Sequence, residues 1–223
     1  MKELSNRAIG RITGLSIVIM AVLAGLVFGM YFDGLMSLED AGQLVQAIEA
    51  DVSAFRWATV GWLMILLTDL VAAWGLHRYY REQAPAVAQL MGWFRVLYSA
   101  VLAVAIGCLP LVLLVVEGQL GAGQPQLAQL FLQGFSQIWS LGLILFGVHL
   151  LLLGGLVYGP TVMQRILGVL LLIGGLGYMV VHLGGFLVPS ASSTIAAIES
   201  VLMAPMMLGE VGLAFWLLFR REK

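Results

Sequence analysis

The stretch SLGLILFGVHLLLLGGLVYGPTVMQRILGVLLLIGGLGYMVVHLGGF, residues 140–186, decides the class of this protein. It holds two apolar runs joined by Gly159-Pro160 and interrupted by a single charge, Arg165. A transmembrane helix needs about 20 mostly apolar residues, and both runs qualify. Each also carries one histidine, His149 or His182, a side chain that hydrocarbon does not accommodate without a partner. The hairpin therefore predicts membrane-crossing helices that hide a few costly polar groups.

The rest of the chain agrees. Of its 223 residues, 61% are hydrophobic and 10% charged, against roughly 25% charged in a soluble domain. Mean hydropathy is +1.00. The length suits one domain, residues 1–223, and the composition predicts an all-α membrane bundle. No basic patch points to nucleic acid. Cys108 is the only cysteine and lies in an apolar run, so no intrachain disulfide can form.

Outward from the hairpin, spans are predicted at about 12–32, 57–76, 90–116, 138–158, 165–187 and 201–219. The first follows Lys2, Arg7 and Arg11 and is longer than the 7–15-residue apolar core of a signal peptide, so it reads as a retained helix. Within it Ala21, Gly25 and Gly29 form a small-xxx-small stripe suited to close helix packing. Residues 33–56 are acidic. Ser37 and Asp40 have the form of a capping box, and Leu38, Ala41, Leu44, Val45, Ile48 and Val52 recur at helical spacing. They predict an amphipathic helix on the membrane surface or capping the bundle. Pro110 should kink the third span. Gly121, Gly123 and Pro125 mark turns, and Leu127, Leu130, Phe131 and Phe135 suggest a second short surface helix. Residues 188–200 read as a serine-rich loop.

Every Lys and Arg except Arg56 falls at the amino terminus, the second–third loop, the fourth–fifth loop or the carboxyl terminus, counting Arg95 just inside that face. The positive-inside rule then places both termini in the cytoplasm and the amphipathic helix outside. No internal repeat supports an inverted-repeat transporter. No P-loop, CxxC pair, HExxH or GxSxG motif appears, and no cofactor is predicted.

A rise of about 1.5 Å per residue gives depths from the cytoplasmic end. Asp69 and Arg95 fall roughly 8–11 Å in, and Tyr98, His149 and Glu210 near 13–14 Å. His182 lies roughly 25 Å up, too far from His149 for a shared haem. An ionised side chain mid-span costs on the order of 3 kcal/mol. Asp69, Arg95, Tyr98, His149 and Glu210 are therefore expected to meet inside the bundle as a candidate polar cluster. It reads either as helix-tying pairs or as a site for a proton or ligand. A metal on His149, Glu210 and Asp69 would have to compete with Arg95 for the carboxylates. His182, alone near an interface, reads as structural or solvated.

The segments GWFRVLYSAVLA, FGVHLLLLGGLVYG, QRILGVLLLIGGLGYMV and GEVGLAFWLL resemble a bacterial six-helix membrane family catalogued as domain of unknown function 4386. Its most specific marks are Phe94, Arg95 and Tyr98, then His149, the RILG run at Arg165 to Gly168, and Glu210. Such sequences differ around His182. The resemblance implies an inner-membrane protein but supplies no activity, substrate or cofactor. Two function classes remain. One is a membrane protein binding or passing a small molecule, lipid or proton; the other is an intramembrane enzyme using Glu210 and His149 as an acid–base pair.

Overall fold

The computed structural model describes residues 4–119 and 124–220. Lys2, Gly121, Gly123, Arg221 and Lys223, used above for topology and turns, lie outside those residues. The described residues are mostly helical, joined by short turns, with no strand among them. Polar caps set where helices begin. The Ser5 hydroxyl accepts from the Ala8 N–H at 3.2 Å to start α1 (Asn6–Ala24). Asp40 accepts from the Gln43 N–H at 2.8 Å to start α3 (Ala41–Ala50). Asp51 accepts from the Ala54 N–H at 2.8 Å to start α4 (Val52–Tyr80). Each cap satisfies one of the donors a helix leaves free at its first turn. Ser37 is not the cap expected of it. It ends the short α2 (Asp33–Met36) and donates to the Gly34 carbonyl at 2.8 Å.

α5 (Pro85–Ile106) and α6 (Cys108–Val116) form one span broken at Gly107. Pro110 explains the break: it has no N–H to give the Ile106 carbonyl, and its ring crowds that carbonyl. α7 runs unbroken over Pro125–Val157, so residues 127–135 extend the fourth span and do not form a separate surface helix. α8 covers Val162–Leu187 behind a capping box of Thr161 and Gln164. The serine-rich segment is shorter as a loop than expected. A single 3-10 turn at Pro189–Ala191 leads straight into α9, Ser192–Phe219. Its serines and alanines carry a helix, and Pro205 is held within it.

Among the described residues six helices are long and apolar enough to cross a membrane. They pack as a closed ring in chain order: α1 on α4, α4 on α5, α5 on α7, α7 on α8, α8 on α9, and α9 back on α1. The outward faces are greasy, as Leu15, Val22, Leu67, Trp93, Val104, Ile166 and Val180 illustrate. Arg220 donates to the Tyr79 hydroxyl at 2.9 Å, which ties the end of α9 to the end of α4. The described arginines Arg7, Arg11, Arg78, Arg81, Arg165 and Arg220 thus share one end of the ring by topology. The other end is acidic and is covered by α3, whose Leu44 and Ile48 are buried against α7.

Glycines set the closest approaches. A Cβ on Gly147 would come within 2.7 Å of the Gly175 carbonyl, and the reverse contact is also 2.7 Å. Gly154 and Gly168 repeat the arrangement two turns along, at 2.9 and 3.0 Å. α7 and α8 therefore touch backbone to backbone. The stripe expected in the first span is not used this way, since Gly25 and Gly29 face open space. Residues Gly25–Phe32 are π-helical, and the face that carries Gly25 and Gly29 meets no neighbouring helix. Gly10 and Gly14 take the role instead, against Tyr79 and the Ala214 carbonyl.

Gly147→Val should destabilise the protein by about 3 kcal/mol or more through overpacking. Gly155→Ala, where nothing lies within 4 Å, should leave thermal stability in detergent unchanged or slightly raised. Equal effects at the two positions would contradict the backbone-to-backbone contact.

Candidate functional site

Arg95 stands at the centre of the ring, 1% exposed, with Asp69 and His149 both at 0%. α5 presents Arg95, α4 presents Asp69 and α7 presents His149, so one guanidinium joins three spans. Its Nη2 lies 2.6 Å from Asp69 Oδ1 and 3.6 Å from the Met20 sulfur on α1. The guanidinium carbon sits 5.2 Å from the centre of the Phe146 ring. Ser99, one turn beyond Arg95, donates its hydroxyl to Asp69 Oδ2.

His149 is bound at both ring nitrogens. Nε2 is 3.1 Å from Arg95 Nη1 and Nδ1 is 2.9 Å from the Met91 carbonyl oxygen. Arginine can only donate and a carbonyl can only accept. The proton is therefore on Nδ1, and the Nε2 lone pair is given to Arg95. No lone pair remains for a metal or for general-base work, which removes the chemical footing of a Glu210–His149 acid–base pair. Among the described residues no group of three His, Cys, Asp or Glu side chains converges to hold a metal.

Asp69, Arg95 and His149 are thus brought together. Tyr98 is placed on the next layer, where its hydroxyl accepts from the Trp139 indole N–H at 3.3 Å and its ring packs 4.8 Å from Phe146. Glu210 makes no hydrogen bond or ion pair with another described residue. It lies on α9 one turn inward of Met206 and Met207.

The triad lines neither of two cavities that open elsewhere. The larger, about 350 Å³, is walled by Phe28, Trp139, Ser140, Tyr178, His182, Glu199 and a set of methionines, Met36, Met203, Met206 and Met207. Its walls come from the first span and from α7, α8 and α9. His182 Nδ1 is 2.9 Å from the Ser140 hydroxyl, and its ring stacks on Tyr178 at 6.0 Å. The smaller, about 110 Å³, lies under α3 beside Leu44, Gln129 and Gln133, and shares Met36 and Ser136 with the larger. Residues 129, 133, 136, 137 and 140 place three glutamines and two serines along one face of α7, leading from the acidic end to His182. His182, a lone histidine in its span, lines the larger cavity. Its signal was the spacing of Ser136, Trp139, Ser140 and Leu143, which repeats at 3, 1 and 3 residues as one helical face.

Closed ring, lipid-facing surface and intramembrane polar contacts define a multi-pass helical membrane protein. The chain belongs to the family described as domain of unknown function (DUF4386), which it matches over residues 12–220. A protein of Archaeoglobus fulgidus bearing only the description "Uncharacterized protein" is 28% identical over 170 residues, 75% of this chain and 85% of its own length. No solved structure matches.

Asp69 and Glu210 should respond unequally to amidation. Asp69→Asn strips Arg95 of its counter-ion and should cost about 3–5 kcal/mol. Glu210→Gln should cost less than about 1 kcal/mol, because no bonded partner is lost. Thermal unfolding of both variants checks this, and a stable Asp69→Asn protein would refute the ion pair as a structural tie.

Proposed function

We propose that this protein binds a small amphiphilic molecule in the cavity beside His182, and that the Arg95–Asp69–His149 cluster is the post that holds the ring around it. One observation carries the reading. A cavity of about 350 Å³, lined mainly by aromatic and methionine side chains, receives a few polar groups from three helices. That is the composition and size of small-molecule sites, which run to roughly 300–1,000 Å³ with few polar anchors. The sealed triad offers no comparable space. The glutamine and serine face of α7 is the entry route from the acidic end.

The arginine-rich end faces the cytoplasm in this reading, by the positive-inside rule. Both termini are then cytoplasmic, the cavity sits in the outer half of the bilayer, and the membrane is the cell's inner or plasma membrane. Surrounding lipids are the constant partners.

Met203→Trp should fill the cavity. Mass spectrometry of protein purified from native membranes should find a small organic molecule in the wild type. The tryptophan variant should lose it at unchanged thermal stability. Equal recovery from both would place the molecule elsewhere. Reporter fusions after Arg81 and Tyr158 should read as cytoplasmic and one after Glu117 as external; an external reading at Arg81 would reverse the orientation.

A further inference from the structure

Charge bookkeeping along the chain singles out Glu199. It lines the large cavity from the eighth residue of α9, about 10 Å from the helix start. Of the chain's 11 Lys and Arg, all but Arg56 and Arg95 belong by sequence to the basic end. Arg95 is committed to Asp69 and Arg56 to Glu117 at the acidic end. Among the described residues no Lys or Arg lines the cavity. Glu199 is an exposed carboxylate on the α9 wall beside Met203, Met206 and Met207.

The remaining walls suit a positive charge. Phe28 and Trp139 meet at 5.2 Å in a T-shaped pair, and Tyr178 stands with His182 in the same cavity. Aromatic faces attract ammonium groups, and thioethers add polarisable surface without competing charge. Size separates an organic ion from a bare one. A cavity of about 350 Å³ is roughly ten times the 30 Å³ share of one water. The sulfur of Met206 also lies 3.2 Å from the Cβ position of Gly177, packed onto α8.

We propose that the cavity binds an organic cation carrying an ammonium group, with Glu199 as its counter-ion and Phe28, Trp139 and Tyr178 as the aromatic wall. The inference rests on the small-molecule reading above and adds the sign and class of the ligand. The ammonium belongs either to a free molecule or to the headgroup of a zwitterionic lipid.

The test uses the full chain in nanodiscs of phosphatidylglycerol. Two probes of similar shape and opposite charge, benzyltrimethylammonium and phenylmethanesulfonate, are titrated by equilibrium dialysis against empty nanodiscs. The cation should bind saturably at one site and the anion should not. Glu199→Gln should weaken the cation about fivefold to tenfold, the scale of one carboxylate and one cation–π contact, while leaving thermal stability unchanged. Trp139→Leu should weaken it comparably, which separates the cavity from a surface charge effect. Competition by added phosphatidylcholine assigns the natural ammonium to a lipid headgroup; its absence assigns a free cation. Equal binding of both probes, no binding of the cation, or indifference to Glu199→Gln overturns the inference. The molecule lost from Met203→Trp would then still support the cavity as a site, with a neutral or anionic occupant.

Discussion

A guanidinium stays charged at any physiological pH, so Arg95 must be neutralised where the fold puts it. It cannot snorkel from a position that is 1% exposed at the centre of six helices. Every polar neighbour follows from that constraint. Asp69 supplies the charge, Ser99 takes up the second carboxylate oxygen, and His149 surrenders its lone pair. The Met91 carbonyl then fixes the imidazole from the other side. The same contacts hold α4, α5 and α7 at one level, and the glycine pairs draw α8 against α7.

The two halves of the ring therefore differ in kind. The Arg95 layer is closed, with the guanidinium ion-paired to Asp69 and bonded to His149 while its Nε has no hydrogen-bond partner among the described residues. Beyond it, Phe146 links the layers: it lies under the guanidinium, packs on Tyr98 and stacks with His149, and meets Tyr178 edge-on at 5.4 Å. Trp139 makes a second link, with one edge bonded to Tyr98 and the ring on the cavity wall. An occupant touching Trp139 or Tyr178 would thus press on side chains one contact away from Arg95. That adjacency gives the polar layer a mechanical relation to the cavity without any chemistry at the triad.

Span number and the polar layer were legible because hydrocarbon leaves a strong mark on sequence. Runs of about 20 apolar residues announce helices, and Asp69, Arg95 and His149 stood out against them. Depth counting brought the right helices to one level. It could not tell which partner Arg95 would take, because side-chain direction depends on helix rotation. Glu210 illustrates this: expected near that level by depth, it makes no hydrogen bond or ion pair with Arg95. Extra-membrane segments were read less well. Polar and small residues at 127–137 and 192–200 are compatible with either loop or helix, and the adjoining spans extended through both. The cavity was invisible for a different reason. It is the space left where four helices fail to close, and no single periodicity encodes that.

The most direct test of a sealed layer beside an open one is water access, read by thiol labelling in a Cys108→Ala background. Ser140→Cys lies on the cavity wall and Ser99→Cys beside Asp69, both inside membrane-spanning helices. A charged, membrane-impermeant methanethiosulfonate applied to intact protein in nanodiscs should modify position 140 and leave position 99 untouched until the protein is unfolded. Rapid labelling at Ser99→Cys, or none at Ser140→Cys, would contradict the account.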